Sequence, residues 1–293
     1  MVDKPQGWTS HDVVDAARGW LGTRRVGHLG TLDPLATGVL PLAVGAATKL
    51  VPFLQGGDKS YVGTVRLGEE TDTLDAEGSV VRRHQGPWPD ETALREALGH
   101  FRGEIQQLPP MFSAVKRAGV PLHRLARAGL EVERTPKRVR IQRLELLKYA
   151  APEVEIEVDC SAGTYVRVLA ADLGARLGCG AHLVALRRTR CGPFGLAAAA
   201  CPDALARQAE RGAIAARLVP AQEPLGLAVV RLGASDARRV AHGGALSDAD
   251  PALRPGVRVA ALDPAGELLA VLEMRPDRRL HPLRVLASVA PRE

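Results

Sequence analysis

An aspartate followed by proline, within GHLGTLDPLATG, is the first residue of this sequence whose surroundings suit chemistry. Pro34 disfavours a helical backbone at Asp33, and Gly30 allows a positive φ or the close approach of a ligand. A carboxylate presented in this way can act as a nucleophile or a base if an adjacent guanidinium keeps it ionised and aimed. An Asx-type turn that starts the next strand would use the same residues. The local sequence therefore leaves a structural and a chemical interpretation open.

Two of the three tyrosines stand in polar segments that could join Asp33 in a site. Tyr61 lies in KSYVGTVRLG, whose alternation predicts a strand, and a core or cross-strand role would also explain it. Tyr165 and Arg167 are two residues apart in CSAGTYVRVLAADLG, so they would share one face of an extended segment but not of a helix start. Either Arg167 or an arginine nearer in the chain could meet Asp33.

The chain of 293 residues has a net charge of +6, and its basic residues concentrate in one segment. Residues 101–148 contain eleven Lys/Arg and four Asp/Glu, whereas residues 58–79 contain two and six. A basic surface of this kind attracts a phosphate backbone, although a solvated basic face has the same composition.

Several classes of chemistry lack their sequence signatures here. The chain has no Gly-x-x-x-x-Gly-Lys-Ser/Thr loop, Gly-x-Gly-x-x-Gly turn, His-Glu-x-x-His pair or Gly-x-Ser-x-Gly elbow. Its four cysteines form no Cys-x-x-Cys pair, which argues against a zinc site. The N-terminus has no apolar signal-peptide core, and no apolar run of about 18 residues predicts a spanning helix. We therefore expect a cytoplasmic protein without a membrane segment.

A mixed α+β fold has to position these residues, because several predicted strands follow one another without an intervening helix. The length favours a large domain followed by a smaller one, and short strands with Gly and Asp-Pro turns begin after about residue 225. The predicted elements are a helix from Thr9 or Ser10 to about Leu21, a loop in TRRVGHLGTLDP, one buried strand in GVLPLAVG, a short helix in AATKLVPFLQG, a helix in PDETALREALGHF, adjacent strands in KRVRIQRLELLKYA and EVEIEVDCS, a helix after GTYVRV that ends at a glycine, and a strand in HLVALRRTRCGPF.

Four segments carry a family resemblance: DKPQGWTSHDVV, GHLGTLDPLATGVLPLAVGAATKL, KSYVGTVRLGEETDTLDAEG and CSAGTYVRVLAADLGARLGCGAHLVALRRTR. Together, in this order, they closely resemble the TruB family of tRNA pseudouridine synthases, from about residue 2 to about residue 195. The resemblance implies a pseudouridine synthase fold, with a central mixed, mainly antiparallel β-sheet flanked by helices and loops. It also implies a catalytic domain over 1–224, with an RNA-clamping thumb insertion at about 108–138, and a small β-rich PUA-like RNA-binding domain over 225–293.

The same resemblance implies an activity: isomerisation of uridine to pseudouridine at position 55 in the T-arm loop of tRNA. The reaction involves base flipping and needs no metal, nucleotide or organic cofactor. By this resemblance Asp33 is the catalytic aspartate, Arg167 pairs with it, and Tyr61 stacks on the target base. The other residues that it assigns to substrate binding are Tyr165 and Leu186 in the pocket, His28 in the place of the flipped base, and Lys4, which with Pro5 belongs to a more structural first motif.

The implied partner is tRNA, bound at the T-arm stem-loop and, through the C-terminal domain, at the acceptor end. The resemblance implies a monomer with no obligate protein partner. Two alternatives remain: a noncatalytic tRNA-binding protein or RNA chaperone on the same fold, and a carboxylate hydrolase that acts on a small molecule. An Asp33→Asn variant tests the first alternative, and the salt dependence of tRNA affinity tests the second.

Overall fold

The computed structural model describes residues 1–113, 115–117, 119–130, 132–247 and 252–286. The chain divides into two compact units, each assembled from separate stretches of sequence. The first unit comprises Met1–Val13, Gly30–Pro41 and Gly56–Pro202. The second unit comprises Val14–Leu29, Leu42–Gln55 and the chain from Asp203 onward. Within the described ranges, no helix combines the length and the apolar character that a bilayer crossing requires.

The strands and helices are numbered in chain order. The strands are β1 (Val2–Lys4), β2 (Val26–His28), β3 (Thr37–Leu40), β4 (Leu42–Val44), β5 (Lys59–Leu67), β6 (Glu69–Thr71), β7 (Val80–Arg83), β8 (Gly103–Gln107), β9 (Lys116–Arg117), β10 (Val120–Pro121), β11 (Lys137–Ala150), β12 (Glu153–Cys160), β13 (Ala181–Cys191), β14 (Phe194–Gly195), β15 (Ala228–Arg231), β16 (Arg258–Leu262), β17 (Leu268–Met274) and β18 (Leu280–Val285). The α-helices are α1 (Ser10–Leu21), α2 (Val51–Leu54), α3 (Glu91–Gly99), α4 (Leu122–Arg127), α5 (Val166–Arg176), α6 (Pro202–Glu210) and α7 (Ala234–Ala241). Short 3₁₀ helices cover Gly45–Leu50, Leu196–Ala198, Ile214–Arg217 and Glu223–Leu225.

The first unit is built on a sheet in the order β1-β3-β13-β5-β12-β11-β8, with β14 paired to β13. The pair β3–β13 is parallel, and the other pairs along this path are antiparallel. The predicted α+β class with a central mixed, mainly antiparallel sheet is therefore confirmed. The parallel pair matters for the site because it places β3, which follows the Asp33 segment, directly beside β13.

Strand β5 lies at the centre of this sheet, between β12 and β13. As its alternation predicts, Tyr61, Gly63, Val65 and Leu67 are all buried. The predicted neighbours β11 and β12 do pair with each other, with the register Ile141↔Cys160 through Ala150↔Glu153. Because alternate side chains of a strand point to the same face of the sheet, this burial shows that one face of β5 lies in the core of the unit.

The helix that was predicted to start at Thr9 or Ser10 begins at Ser10 and ends at Leu21. A capping box explains this start, because Asp12 Oδ2 accepts the Thr9 N–H at 2.7 Å and Thr9 Oγ1 accepts the Asp12 N–H at 3.1 Å. Helix α3 begins after Asp90, whose side chain accepts the Ala93 N–H at 2.8 Å.

The prediction of one buried strand in GVLPLAVG is wrong, because the structure divides this segment at Pro41. Strand β3 pairs with β1 and β13, whereas β4 pairs with β2 in a separate small sheet. Proline has no N–H to donate to a ladder, so one strand cannot continue through it inside a sheet. The same small sheet gives strand structure to Val26–His28, within the segment that was predicted as loop.

The second unit contains a small sheet in the order β15-β16-β17-β18, in which β15 and β16 are parallel. Its strands lie within residues 225–293, where short strands were predicted; residues 248–251 and 287–293 of that range lie outside the described residues. In one hydrophobic cluster of this unit, Leu50 and Phe53 pack with Leu262 and Val271 of the sheet. Residues 42–55 and the C-terminal sheet therefore share one apolar core.

Candidate active site

Asp33 is presented by a turn that three buried cationic side chains surround. The Ala36 N–H donates to the Asp33 carbonyl at 3.0 Å, which closes the turn. Lys4 is completely buried, and its Nζ donates to the carbonyl oxygens of Trp8 at 2.5 Å and Pro34 at 3.4 Å. Arg188 binds carbonyls on both sides of the turn, and Arg167 meets the carboxylate itself.

Arg167 lies in the first turn of α5 and joins two carboxylates. Its Nη2 is 3.2 Å from Asp33 Oδ2, and its Nη1 is 3.0 Å from Asp75 Oδ2. Its Nη2 also donates to the Phe112 carbonyl at 2.6 Å. The Arg167 Nε is buried and has no hydrogen-bond partner within the described ranges. The guanidinium is thus held by groups from three separate segments, so its position is fixed by the tertiary structure.

The three charged groups differ sharply in their exposure. The side chains of Arg167 and Asp75 are 6% and 3% exposed, whereas that of Asp33 is 42% exposed. Asp33 is therefore the member of the cluster that an incoming substrate can touch. Arg167 and Asp75 are the buried members, and Arg167 contacts both carboxylates.

Burial raises the pKa of the Asp33 carboxyl above its ordinary value, and the Asp75 charge adds to the rise. The Arg167 and Lys4 charges oppose it without cancelling it. The expected effect of an adjacent guanidinium is present, because the Arg167 charge lowers this pKa, but burial and the Asp75 charge outweigh it and the net shift is upward. Together with the 42% exposure, this describes a carboxylate that solvent reaches from one side while protein surrounds the rest.

Asp75 is a site residue that the sequence interpretation missed. It lies in the acidic loop between β6 and β7, where its Oδ1 accepts the Thr73 hydroxyl at 2.6 Å and the Glu77 N–H at 3.1 Å. Those two bonds fix the carboxylate so that Oδ2 faces Arg167. The sequence shows that residues 58–79 are rich in acidic residues, but no local signal distinguishes the buried carboxylate of TDTLDAEG from the exposed ones.

Tyr165 is the N-cap residue of α5, which settles the open choice between extended and helical backbone. Its φ of −105° and ψ of 106° are extended, while Arg167 is already helical. Buried Gln107 of β8 binds both backbone groups of Tyr165, donating from Nε2 to its carbonyl at 3.2 Å and accepting its N–H at 3.0 Å. Burial raises the pKa of the Tyr165 hydroxyl. Gln107 therefore acts as the cap that the Tyr165 side chain does not supply.

Tyr61 and Leu186 lie on the central strands β5 and β13. Tyr61 is 6% exposed, and burial raises the pKa of its hydroxyl although the Arg188 charge opposes the rise. Leu186 pairs with Gly63 across the two strands, and a Cβ atom at Gly63 would lie 3.3 Å from Leu186 Cδ1. The glycine thus lets the leucine side chain lie close against β5.

The two remaining residues assigned by resemblance lie in different surroundings. Lys4 supports the Asp33 turn, and burial lowers its pKa to about 8 although the Asp33 charge opposes the shift. His28 belongs to the second unit, where it ends β2 and its carbonyl accepts the Gln55 side-chain N–H at 3.5 Å. The structure thus brings Asp33, Arg167, Tyr165, Tyr61, Leu186 and Lys4 into one unit. Among the described residues, no group of His, Cys, Asp and Glu is arranged to hold a metal ion.

Two family models match the chain in succession. The TruB family pseudouridylate synthase N-terminal domain matches residues 18–166, and the tRNA pseudouridylate synthase B C-terminal domain matches residues 167–225. Among solved structures, a chain of a Cbf5–Nop10–Gar1 complex superposes with a TM-score of 0.73 at 28% identity, covering 98% of this chain and 84% of that one. A chain of an H/ACA RNP bound to a substrate RNA containing 2′-deoxyuridine superposes with a TM-score of 0.72 at 26% identity. The fold and the site together define a pseudouridine synthase.

Curated relatives agree with this class and narrow it. The chain is 48% identical to tRNA pseudouridine synthase B of Geobacter sulfurreducens, over 83% of this chain and 80% of the relative. It is 48% identical to that of Bordetella avium, over 78% and 93%, and 47% identical to that of Burkholderia mallei, over 92% and 91%. The chain belongs to the TruB family, and it is an enzyme that isomerises uridine to pseudouridine in tRNA. These comparisons give no support to the noncatalytic alternative.

Proposed function

We propose that the enzyme modifies uridine 55 in the T-arm loop of tRNA and that Asp33 is its catalytic group. One observation carries the assignment of Asp33. In the cluster of Asp33, Arg167 and Asp75, only the Asp33 side chain is open to a substrate, at 42% exposure against 6% and 3%. Of these three charged groups, Asp33 is therefore the one that can touch the reacting nucleotide, and the two buried groups orient it.

The isomerisation detaches uracil from the ribose C1′, rotates the base and rejoins it through C5, with a proton passing from C5 to N1. Asp33 takes part in its ionised form, whether as a nucleophile or as a base. Arg167 holds the carboxylate at 3.2 Å and stabilises its charge against the burial that raises its pKa. Both functions of Arg167 depend on its anchors at Asp75 and Phe112.

The target base has to leave its stack before Asp33 can reach it, at a cost of a few kcal/mol. Stacking on an aromatic side chain returns about 1–3 kcal/mol per base. We assign this contact to Tyr61, with Leu186 and Tyr165 as walls of the pocket. Lys4 supports the turn that carries Asp33, and His28 takes the place of the flipped base in the RNA.

Substitution of Asp33 tests the catalytic assignment. An Asp33→Asn enzyme should bind unmodified tRNA transcript nearly as tightly as the wild type and form no pseudouridine, mapped at nucleotide resolution. Asp58→Asn, which neutralises an exposed carboxylate, is the matched control and should keep full activity. Product formation by Asp33→Asn would remove Asp33 from the chemistry, and modification of a uridine other than position 55 would refute the proposed target.

Tyr61→Leu tests the stacking contact. This change should lower the rate of modification more than the affinity for tRNA, because the contact forms only with the flipped base. Equal losses of rate and affinity would contradict the stacking role. The closely packed surroundings of Tyr61, at 6% exposure, make a thermal unfolding measurement a necessary control.

The proposed catalytic domain covers residues 1–224, and the proposed RNA-binding surfaces are its thumb at about 108–138 and the C-terminal domain over 225–293. Residues 114, 118 and 131 of the thumb lie outside the described residues. Several Lys/Arg–phosphate contacts predict a steep fall of tRNA affinity with salt, which a small-molecule hydrolase would not show.

Deletion of the C-terminal domain would expose the core around Leu50, so substitution is the better test of this domain. Replacing the exposed Arg238 and Arg239 of α7 by Glu should weaken full tRNA and spare a T-arm minihelix. Equal weakening of both RNAs would contradict an acceptor-end contact.

The proposal includes a monomeric enzyme without an obligate protein partner, acting in the cytoplasm where its tRNA substrate is. Sedimentation equilibrium of the free protein and of its tRNA complex tests the first part. A concentration-dependent dimer that alone carries the activity would contradict it.

A further inference from the structure

Arg188 is a completely buried arginine, which is unusual for this residue type. It lies on β13, two residues after Leu186, and its exposed fraction is 0%. Its neighbour Arg187 lies on the opposite face of the strand, where its side chain is 43% exposed and pairs with Asp3 at 2.7 Å. The two arginines offer a natural comparison, since they share a strand and a charge but not an environment.

Each of the three guanidinium nitrogens of Arg188 donates to a backbone carbonyl around Asp33. Its Nη2 donates to the Gly30 carbonyl at 3.1 Å, and its Nη1 donates to the Thr31 carbonyl at 3.3 Å. Its Nε donates to the Val39 carbonyl at 2.8 Å. Two of these acceptors precede Asp33 in the chain and one follows it. The planar fork of one side chain therefore ties together both ends of the segment that presents the carboxylate.

No carboxylate of the described residues forms an ion pair with Arg188, so backbone carbonyl oxygens are what stabilise its charge. Burying a cation without a counter-ion is unfavourable, and an apolar side chain of similar volume is often at least as stabilising. Stability alone therefore gives a poor reason for an arginine at this position. A requirement for fixed geometry at the site gives a better one.

The backbone beneath Arg188 is itself immobilised. Arg188 and Gly38 are partners in the parallel pair β3–β13, and a Cβ atom at Gly38 would lie 2.2 Å from the Arg188 carbonyl oxygen. The strand that carries the guanidinium therefore packs directly against the strand that follows Asp33. A rigid strand on one side and three hydrogen bonds on the other leave the loop little freedom.

We propose that Arg188 is a positioning residue for the pseudouridine synthase reaction: its guanidinium sets the loop that presents Asp33. Full burial excludes contact between Arg188 and RNA, so it acts through its neighbours. The inference rests on the proposed catalytic role of Asp33.

The test compares Arg188→Met, Arg188→Lys and the control Arg187→Met, measured as single-turnover rate and tRNA affinity at saturating enzyme. A misplacement of about 1 Å costs on the order of 100-fold in rate, so we expect about that loss in Arg188→Met with tRNA affinity unchanged within about threefold. Lysine has three donors on one atom and no planar fork, so Arg188→Lys should recover only part of the rate, to about tenfold below wild type. Arg187→Met should retain the wild-type rate.

Thermal unfolding of each variant separates positioning from simple loss of folded protein. If Arg188→Met does not fold, Arg188→Lys decides: a lowered rate with unchanged affinity supports the proposal. A wild-type rate in Arg188→Lys, or a parallel loss of rate and affinity, would overturn it. An Asp33→Asn enzyme assayed alongside distinguishes the role of Asp33 from that of Arg188. Activity in Asp33→Asn would refute the catalytic role of Asp33. Inactive Asp33→Asn together with fully active Arg188 variants would refute only the positioning role of Arg188.

Discussion

Neutralising Asp75 is the most informative perturbation of the site, because this residue controls Arg167 without being accessible to RNA. Asp75→Asn keeps the acceptor Oδ1 that binds Thr73 and Glu77, but it places an amide where a carboxylate faces Arg167. The change therefore removes one buried charge and leaves most of the loop's hydrogen bonds in place.

The expected loss of stability follows from the burial of the pair. Removing one partner of a buried ion pair costs about 3–5 kcal/mol. Arg167 keeps its contacts with Asp33 and Phe112, so the lower end, about 3 kcal/mol, applies here. In large domains a loss of 1 kcal/mol in stability lowers Tm by about 2–4 °C, so Tm should fall by about 6–12 °C. Asp72→Asn in the same loop alters an exposed carboxylate and should change stability by no more than about 0.5 kcal/mol.

Catalysis should change in two separable ways. With Arg167 less firmly held, the single-turnover rate should fall by about 10- to 100-fold, while tRNA affinity stays unchanged because Asp75 is 3% exposed. The Asp75 charge raises the pKa of Asp33, so its removal should move the acid limb of the pH–rate profile to lower pH. A Tm equal to that of Asp72→Asn, a loss of tRNA affinity, or an acid limb that moves to higher pH would each refute this reasoning.

Three further changes have defined outcomes. Burial raises the folded-state pKa of Asp33, so the wild type loses stability as pH rises from the ordinary aspartate pKa through this raised value. Asp33→Asn removes that loss, so it should raise Tm at pH 8 and not at pH 3. A lower Tm of Asp33→Asn at pH 8 would contradict this expectation. Gly38→Ala should lower the free energy of unfolding by more than about 4 kcal/mol, because Gly38 has a φ of +102° and an added Cβ would overlap the backbone of β13. Gly7→Ala is the control: Gly7 has a φ of +83° but open space around it, so the loss in chemical denaturation should be about 1–2 kcal/mol. Gln107→Met should lose about 2 kcal/mol and lower the rate, since two backbone bonds to Tyr165 disappear; an unchanged rate would show that α5 needs no such cap.

Several features of this protein are local consequences of its sequence. The capping box of Thr9 and Asp12 places the start of α1. The alternation around Tyr61 produces β5, and Pro34 keeps the backbone at Asp33 out of a helix. The order of four motifs was sufficient to indicate the family and its reaction. The first three depend on residues that are close in the chain, and the family indication depends on resemblance of the motifs themselves, so the sequence alone could predict all of them.

The composition of the site depended on the tertiary structure. Asp33, Asp75 and Phe112 come from separate segments and meet at Arg167 only because the fold brings α5 and the acidic loop together. The division of GVLPLAVG at Pro41 was also decided by partners, since β3 and β4 pair with strands in different sheets. The pKa direction of Asp33 is the clearest case, because an aspartate beside an arginine favours ionisation in isolation, whereas here burial and a second carboxylate outweigh the arginine. Desolvation and shared charge are properties of the assembled fold, and no window of sequence contains them.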